Sequence, residues 1–153
     1  MLSATSAQDR QKILANHYGI VCECFACANA TPESDRLRLE CVQQIRYFAK
    51  LSDEWVNHPG DCLSEQVLEP VFELQEAIEK ECLDIEPEFM VLLVVIYKVY
   101  TRMGLTAKAE QYKAKLDRIG EGISRMKDHD GSVNRRRIFN DCKAWMAVIK
   151  PEA

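Results

Sequence analysis

The chain has 153 residues, 47% of them hydrophobic and 29% charged, which is enough for one domain with a packed core and argues against a membrane-embedded or disordered protein. Its formal net charge of -4 gives no reason to expect direct nucleic-acid binding. The longest apolar run, Phe89 to Tyr97, falls far short of the about 20 residues that span a bilayer, so no membrane partner is expected.

Met1 to Ser6 lack the basic and long apolar regions of a signal peptide, so the expected compartment is reducing, cytoplasmic and/or nuclear. Seven cysteines, an odd number, then fit metal ligands and buried thiols better than a disulfide framework.

In chain order, Ser6 caps a short first helix of about 10 residues, which Gly19 stops. Directly after it comes Cys22-Glu23-Cys24-Phe25-Ala26-Cys27, three thiols within six residues. Thiolates are soft ligands that suit zinc, and disulfides between such close neighbours are hard to close. Structural zinc is tetrahedral, so Cys22, Cys24 and Cys27 are one ligand short of a closed site.

Thr31-Pro32 opens a second helix, expected from about Pro32 to Glu54, with Leu37, Cys41, Ile45, Phe48 and Ser52 recurring at steps of three and four. Asn57 to Asp61 ends it. A third helix follows Pro70, burying Val71, Leu74, Ala77, Ile78 and Cys82 and exposing Glu73, Glu76, Glu79 and Glu81. Pro87 opens a fourth, Glu88 to about Met103, apolar around most of its circumference and so expected in the middle of a helical stack.

Gly104 suits the left-handed turn after that helix, and Thr106 is the expected cap of the next, giving an αα-hairpin over 88–127 with Ala109, Tyr112, Leu116, Ile119 and Ile123 inward. Gly120 and Gly122 weaken its second arm by about 1 kcal/mol each. Asp128 to Ser132 reads as a loop. A last helix, about 134–148, docks through Ile138, Phe139, Cys142, Trp145, Met146 and Ile149. Tyr100, Gly104 and Ala109 match the tetratricopeptide pattern, with its following aromatic displaced by one position, to Tyr112.

The order helix, Tyr18, Gly19, Cys22-x-Cys24-x-x-Cys27, helix resembles the post-SET segment of SET-domain lysine methyltransferases, most closely the SMYD-type and related fungal SET-domain proteins. Ile20 stands where that family usually has Phe. The resemblance implies an all-α antiparallel stack of TPR-like hairpins (31–153) preceded by a Cys-rich zinc-binding post-SET segment (1–30). It further implies zinc on Cys22, Cys24 and Cys27, with a fourth cysteine from a SET core, and Tyr18 lining the lysine channel.

The SET core and a protein substrate or peptide are then the implied partners, and S-adenosylmethionine belongs only to the intact family protein. Residues 1–153 contain no Asn-His-Ser-Cys stretch, Gly-rich cofactor loop or Gly-Glu-Glu motif, so this chain alone is expected to be inactive. The alternative is a free-standing TPR-like interaction module without catalysis.

The plainer readings are these. Cys41, Cys82 and Cys142 are buried small hydrophobes, and Cys62 beside His58 lacks enough neighbours for a second metal site. His17 caps a helix end rather than completing the zinc site. Arg135-Arg136-Arg137 is a solvated helix start, and Trp55 and Trp145 are packing residues. A redox or copper-trafficking role for the cluster would want an exposed Cys-x-x-Cys pair with a low-pKa thiol, for which nothing in the sequence argues.

Overall fold

The first and third helices begin where the sequence supplies a side-chain partner for their first N–H groups. The computed structural model describes residues 5–58, 63–84, 87–126 and 130–148. Ser6 Oγ accepts the Asp9 N–H at the start of α1 (Ala7–Tyr18), and Gly19 ends it at φ 63°, its N–H donating to Ala15 O at 3.0 Å. After the one-turn α2 (Phe25–Ala28), Thr31 and Ser34 form a reciprocal capping box at the head of α3 (Pro32–Asn57), with Pro32 in its first turn.

A 3-10 turn (Glu65–Leu68) leads into α4 (Glu69–Lys80), followed by α5 (Phe89–Arg102), α6 (Thr106–Ser124) and α7 (Asp130–Ala147). No strand occurs among the described residues.

Helix α5 is the centre of the stack and packs against α3, α6 and α7. Phe89, Met90, Leu92 to Ile96, Val99 and Tyr100 are all buried, as the nearly all-round apolar sequence requires. Cys41 and Ile45 from α3, Val71, Leu74 and Ile78 from α4, Ala109, Leu116 and Ile123 from α6, and Cys142 and Met146 from α7 close the core around it. The α5–α6 turn is a Schellman motif. Gly104 sits at φ 75°, its N–H donates to Thr101 O at 3.1 Å, and the Leu105 N–H donates to Tyr100 O at 2.9 Å.

That turn corrects one expectation. Leu105, not Thr106, occupies the cap position of α6, and no side chain caps it there. Because Leu105 already completes the preceding turn, the chain enters α6 directly and Thr106 becomes its first helical residue. A second Schellman turn ends α4, where Cys82 N–H donates to Glu79 O at 3.0 Å and Leu83 N–H to Ile78 O at 2.9 Å. Its left-handed position is filled by Cys82 at φ 55°, which is therefore exposed rather than a buried hydrophobe. Glu81 is likewise half-buried instead of solvated, because it meets the buried Arg38, whose guanidinium donates to both the Glu81 carbonyl and its carboxylate at 3.0 Å.

Helix α7 begins at Asp130, inside the stretch read as a loop, and α6 runs unbroken through Gly120 and Gly122 to Ser124. Gly120 has a packing role: a Cβ there would come within 3.0 Å of three ring atoms of Phe139 from α7. Arg136 is more than a solvated helix start, since it donates to Met126 O at 2.7 Å across the α6–α7 connection. Cys62 and Ile149 lie outside the described residues.

A cation is also buried in the central helix. Lys98 on α5 is 1% exposed. Its ammonium pairs with Asp53, lies 3.4 Å from Ser52 Oγ on the same helix α3, and sits 3.8 Å above the Trp145 ring of α7. Trp145 Nε1 in turn donates to Asp53 Oδ1 at 3.1 Å, so three helices are joined at one point.

Candidate metal centre

Helix α1 holds the cysteine segment with two side chains that its sequence presents only as a polar face. The Gln11 amide grips the Cys22 peptide from both sides, donating to Cys22 O at 2.7 Å and accepting the Cys22 N–H at 2.9 Å. Arg10, 4% exposed, spreads its guanidinium between Thr5 O, Ala26 O at 3.1 Å and Cys27 Sγ at 3.4 Å. Helix α2 then forms on Cys24, whose carbonyl accepts from the Cys27 N–H at 3.0 Å and the Ala28 N–H at 2.8 Å. Asp35 in the first turn of α3 accepts the Ala7 N–H at 2.9 Å and ties α1 to the helical stack.

These contacts bring the three predicted thiols together, with the sulfurs of Cys22, Cys24 and Cys27 all within 4.8 Å of one another. Zinc–sulfur bonds of 2.3 Å at tetrahedral angles put sulfurs about 3.8 Å apart, so a small closure fits the group around one ion. Three soft donors at this spacing could hold a metal ion and are compatible with zinc. Among the described residues the group has three members, and His17 is not one of them. It is exposed, on the last turn of α1.

The three sulfurs differ in environment. Cys24 is exposed, and its thiol is drawn down to about 7, first by the hydrogen bond from the Cys22 thiol and then by the Cys27 backbone N–H. For Cys22 the Cys24 N–H pulls downward. Its side-chain hydrogen bonds with Cys24 and Cys27, together with burial and the Cys27 charge, outweigh that pull and raise it above the usual 9.0. Cys24 and Cys27 form a Cys-x-x-Cys pair with one exposed and one half-buried member. Cys142, by contrast, is buried in the α7 interface and pushed up to about 12 by burial, which makes it an inert packing thiol.

Around the cluster lies an apolar rim. Tyr18 is 69% exposed, and Ile20, Val21 and Phe25 are also more than half exposed. These four side chains flank the thiols in sequence, and exposed apolar groups gathered in a patch are of the kind that marks a contact surface. Away from it, a cleft of about 560 Å³ between α3, α5 and α7 carries Arg46 and Arg137 alongside Glu88 and Asp141. Its mixed charges select no ligand class.

No protein-family model, curated protein or solved structure matches this chain. Fold and site together define an all-helical protein bearing a three-thiol group that could hold a metal ion. No described helix is long and apolar enough to cross a membrane.

Proposed function

We propose that the chain is the post-SET segment and C-terminal helical portion of a SET-domain protein-lysine methyltransferase, whose SET core lies outside these residues. One observation carries this reading: three thiols converge within 4.8 Å directly after a helix that ends in an exposed Tyr18, with Ile20, Val21 and Phe25 open beside them. A SET core docked on that rim supplies the fourth sulfur and covers the apolar side chains.

In this reading Cys22, Cys24 and Cys27 hold zinc, which supplies a structural cross-link between segment and core. Tyr18 offers its ring face to a lysine ammonium in the substrate channel. S-adenosylmethionine binds the SET core of the intact protein, a protein lysine is the substrate, and the site of action is cytoplasmic or nuclear. The α5–α6 hairpin, closed over Ala109, supports TPR-like packing for the helical portion.

The test is capture of the endogenous protein with an antibody to the α5–α6 hairpin, followed by intact mass and peptide mapping. A SET core in the same chain, or bound to it in equal amount, together with methyl transfer to protein lysine that Tyr18→Ala lowers, is the expected result. A captured species of 17.5 kDa without a SET core refutes the reading and leaves the interaction-module alternative.

A further inference from the structure

Cys24 and Cys27 have different surroundings, and the difference assigns them different chemistry. Cys24 is exposed at the start of α2, while Cys27 is half-buried one turn later, its sulfur held by the Arg10 guanidinium at 3.4 Å. The Cys27 N–H to Cys24 O bond of 3.0 Å closes a turn. A turn of this kind keeps its end Cα atoms within about 7 Å, and disulfides span about 4.4–6.8 Å. The backbone at Cys24–Cys27 is therefore already bent for a bridge, which the spacing alone did not suggest. Cys22, although its sulfur is near, has its peptide fixed on both sides by Gln11.

We propose that Cys24 is a peroxide-modification site and Cys27 its resolving thiol, so that oxidation closes a Cys24–Cys27 disulfide and withdraws two of the three sulfurs from metal binding. In the first step the Cys24 thiolate attacks hydrogen peroxide. An S–O bond forms, the O–O bond breaks, the sulfur loses two electrons, and the departing hydroxide takes a proton to become water. In the second step the Cys27 sulfur attacks that of Cys24. The S–S bond forms, the S–O bond breaks, and the departing hydroxide combines with the Cys27 proton as a second water. Two thiols and one peroxide become one disulfide and two waters.

This inference does not depend on the methyltransferase reading, which a SET core decides separately. The experiment treats the reduced, metal-free full chain with hydrogen peroxide and maps disulfides by mass spectrometry. A Cys24–Cys27 bridge is expected in the wild type and in Cys22→Ser. In Cys27→Ser the bridge is lost and dimedone traps a sulfenic acid on Cys24, with the helical circular dichroism unchanged.

A bridge to Cys22, a dimedone adduct on another cysteine in Cys27→Ser, or no oxidation at the cluster overturns the proposal. In zinc-loaded chain, a chromophoric chelator should report zinc release in step with bridge formation. Zinc that stays bound while the bridge forms overturns the claim that the two compete.

Discussion

Removing Asp53 should destabilise this protein more than removing Lys98, although the two form one ion pair. Lys98 is the desolvated partner, with a side chain 2% exposed, whereas that of Asp53 is 51% exposed and keeps much of its hydration. In Asp53→Ala the ammonium is left with Ser52 Oγ and the Trp145 ring face. An uncompensated buried charge costs about 3–5 kcal/mol, and because Ser52 and the Trp145 ring remain as partners the expected loss lies at the lower end, about 3 kcal/mol. For a chain of this size that lowers the Tm by about 5–10 °C.

Lys98→Met keeps the stem packed in α5, removes the buried charge and leaves Asp53 in water, so its effect should stay within about 1 kcal/mol of zero. The pH dependence follows from the same asymmetry. Burial lowers the Lys98 pKa from 10.5 despite the attraction of Asp53. The folded state therefore disfavours the protonated form, and its penalty appears as pH falls from 10.5 and is constant once Lys98 is charged in both states. Without Asp53 the depression deepens, so the Asp53→Ala deficit should be largest near neutrality and shrink toward alkaline pH. Urea unfolding followed by circular dichroism at two pH values measures both. A Lys98→Met variant as unstable as Asp53→Ala, or a deficit that grows with pH, refutes the reasoning.

Two glycines of α6, separated by one residue, should respond in opposite directions. Gly122→Ala meets nothing within 4 Å and should gain about 1 kcal/mol of helix propensity, while Gly120→Ala drives its methyl into the Phe139 ring and should lose stability in the same thermal melts. Cys82→Gly relieves a left-handed residue whose side chain is exposed and should stabilise by about 0.5–1 kcal/mol, seen as a higher urea midpoint with an unchanged slope. Gln11→Ala frees the Cys22 peptide, and by analogy with other supports of metal ligands should weaken zinc or cobalt binding by about tenfold or more in a chelator competition, with the helical signal preserved. Equal affinity in that variant would show that the Gln11 contacts do not organise the ligand set.

Much of this molecule follows from local sequence. The three-and-four spacing of Leu37, Cys41, Ile45 and Phe48 gives α3 its inward face. The Thr31-Pro32 start, the Gly19 and Gly104 turns and the all-round apolar α5 each act within a few residues, so the sequence reads them directly. Cys22, Cys24 and Cys27 were legible for the same reason, since donors within six residues need no long-range fold to meet.

What only the tertiary structure decided are contacts between residues far apart. Lys98 is a buried cation because Asp53 and Trp145 arrive from α3 and α7, and nothing in the α5 sequence announces them. Gly120 is small for the sake of Phe139, and Glu81 turns inward for Arg38, 43 residues earlier. Arg10 and Gln11 find their partners only when the chain folds back and presents Cys22, Ala26 and Cys27 to them. Periodicity records which face of a helix is apolar, but a polar side chain acquires its role from whichever partner the fold carries to it, and that choice is made in three dimensions.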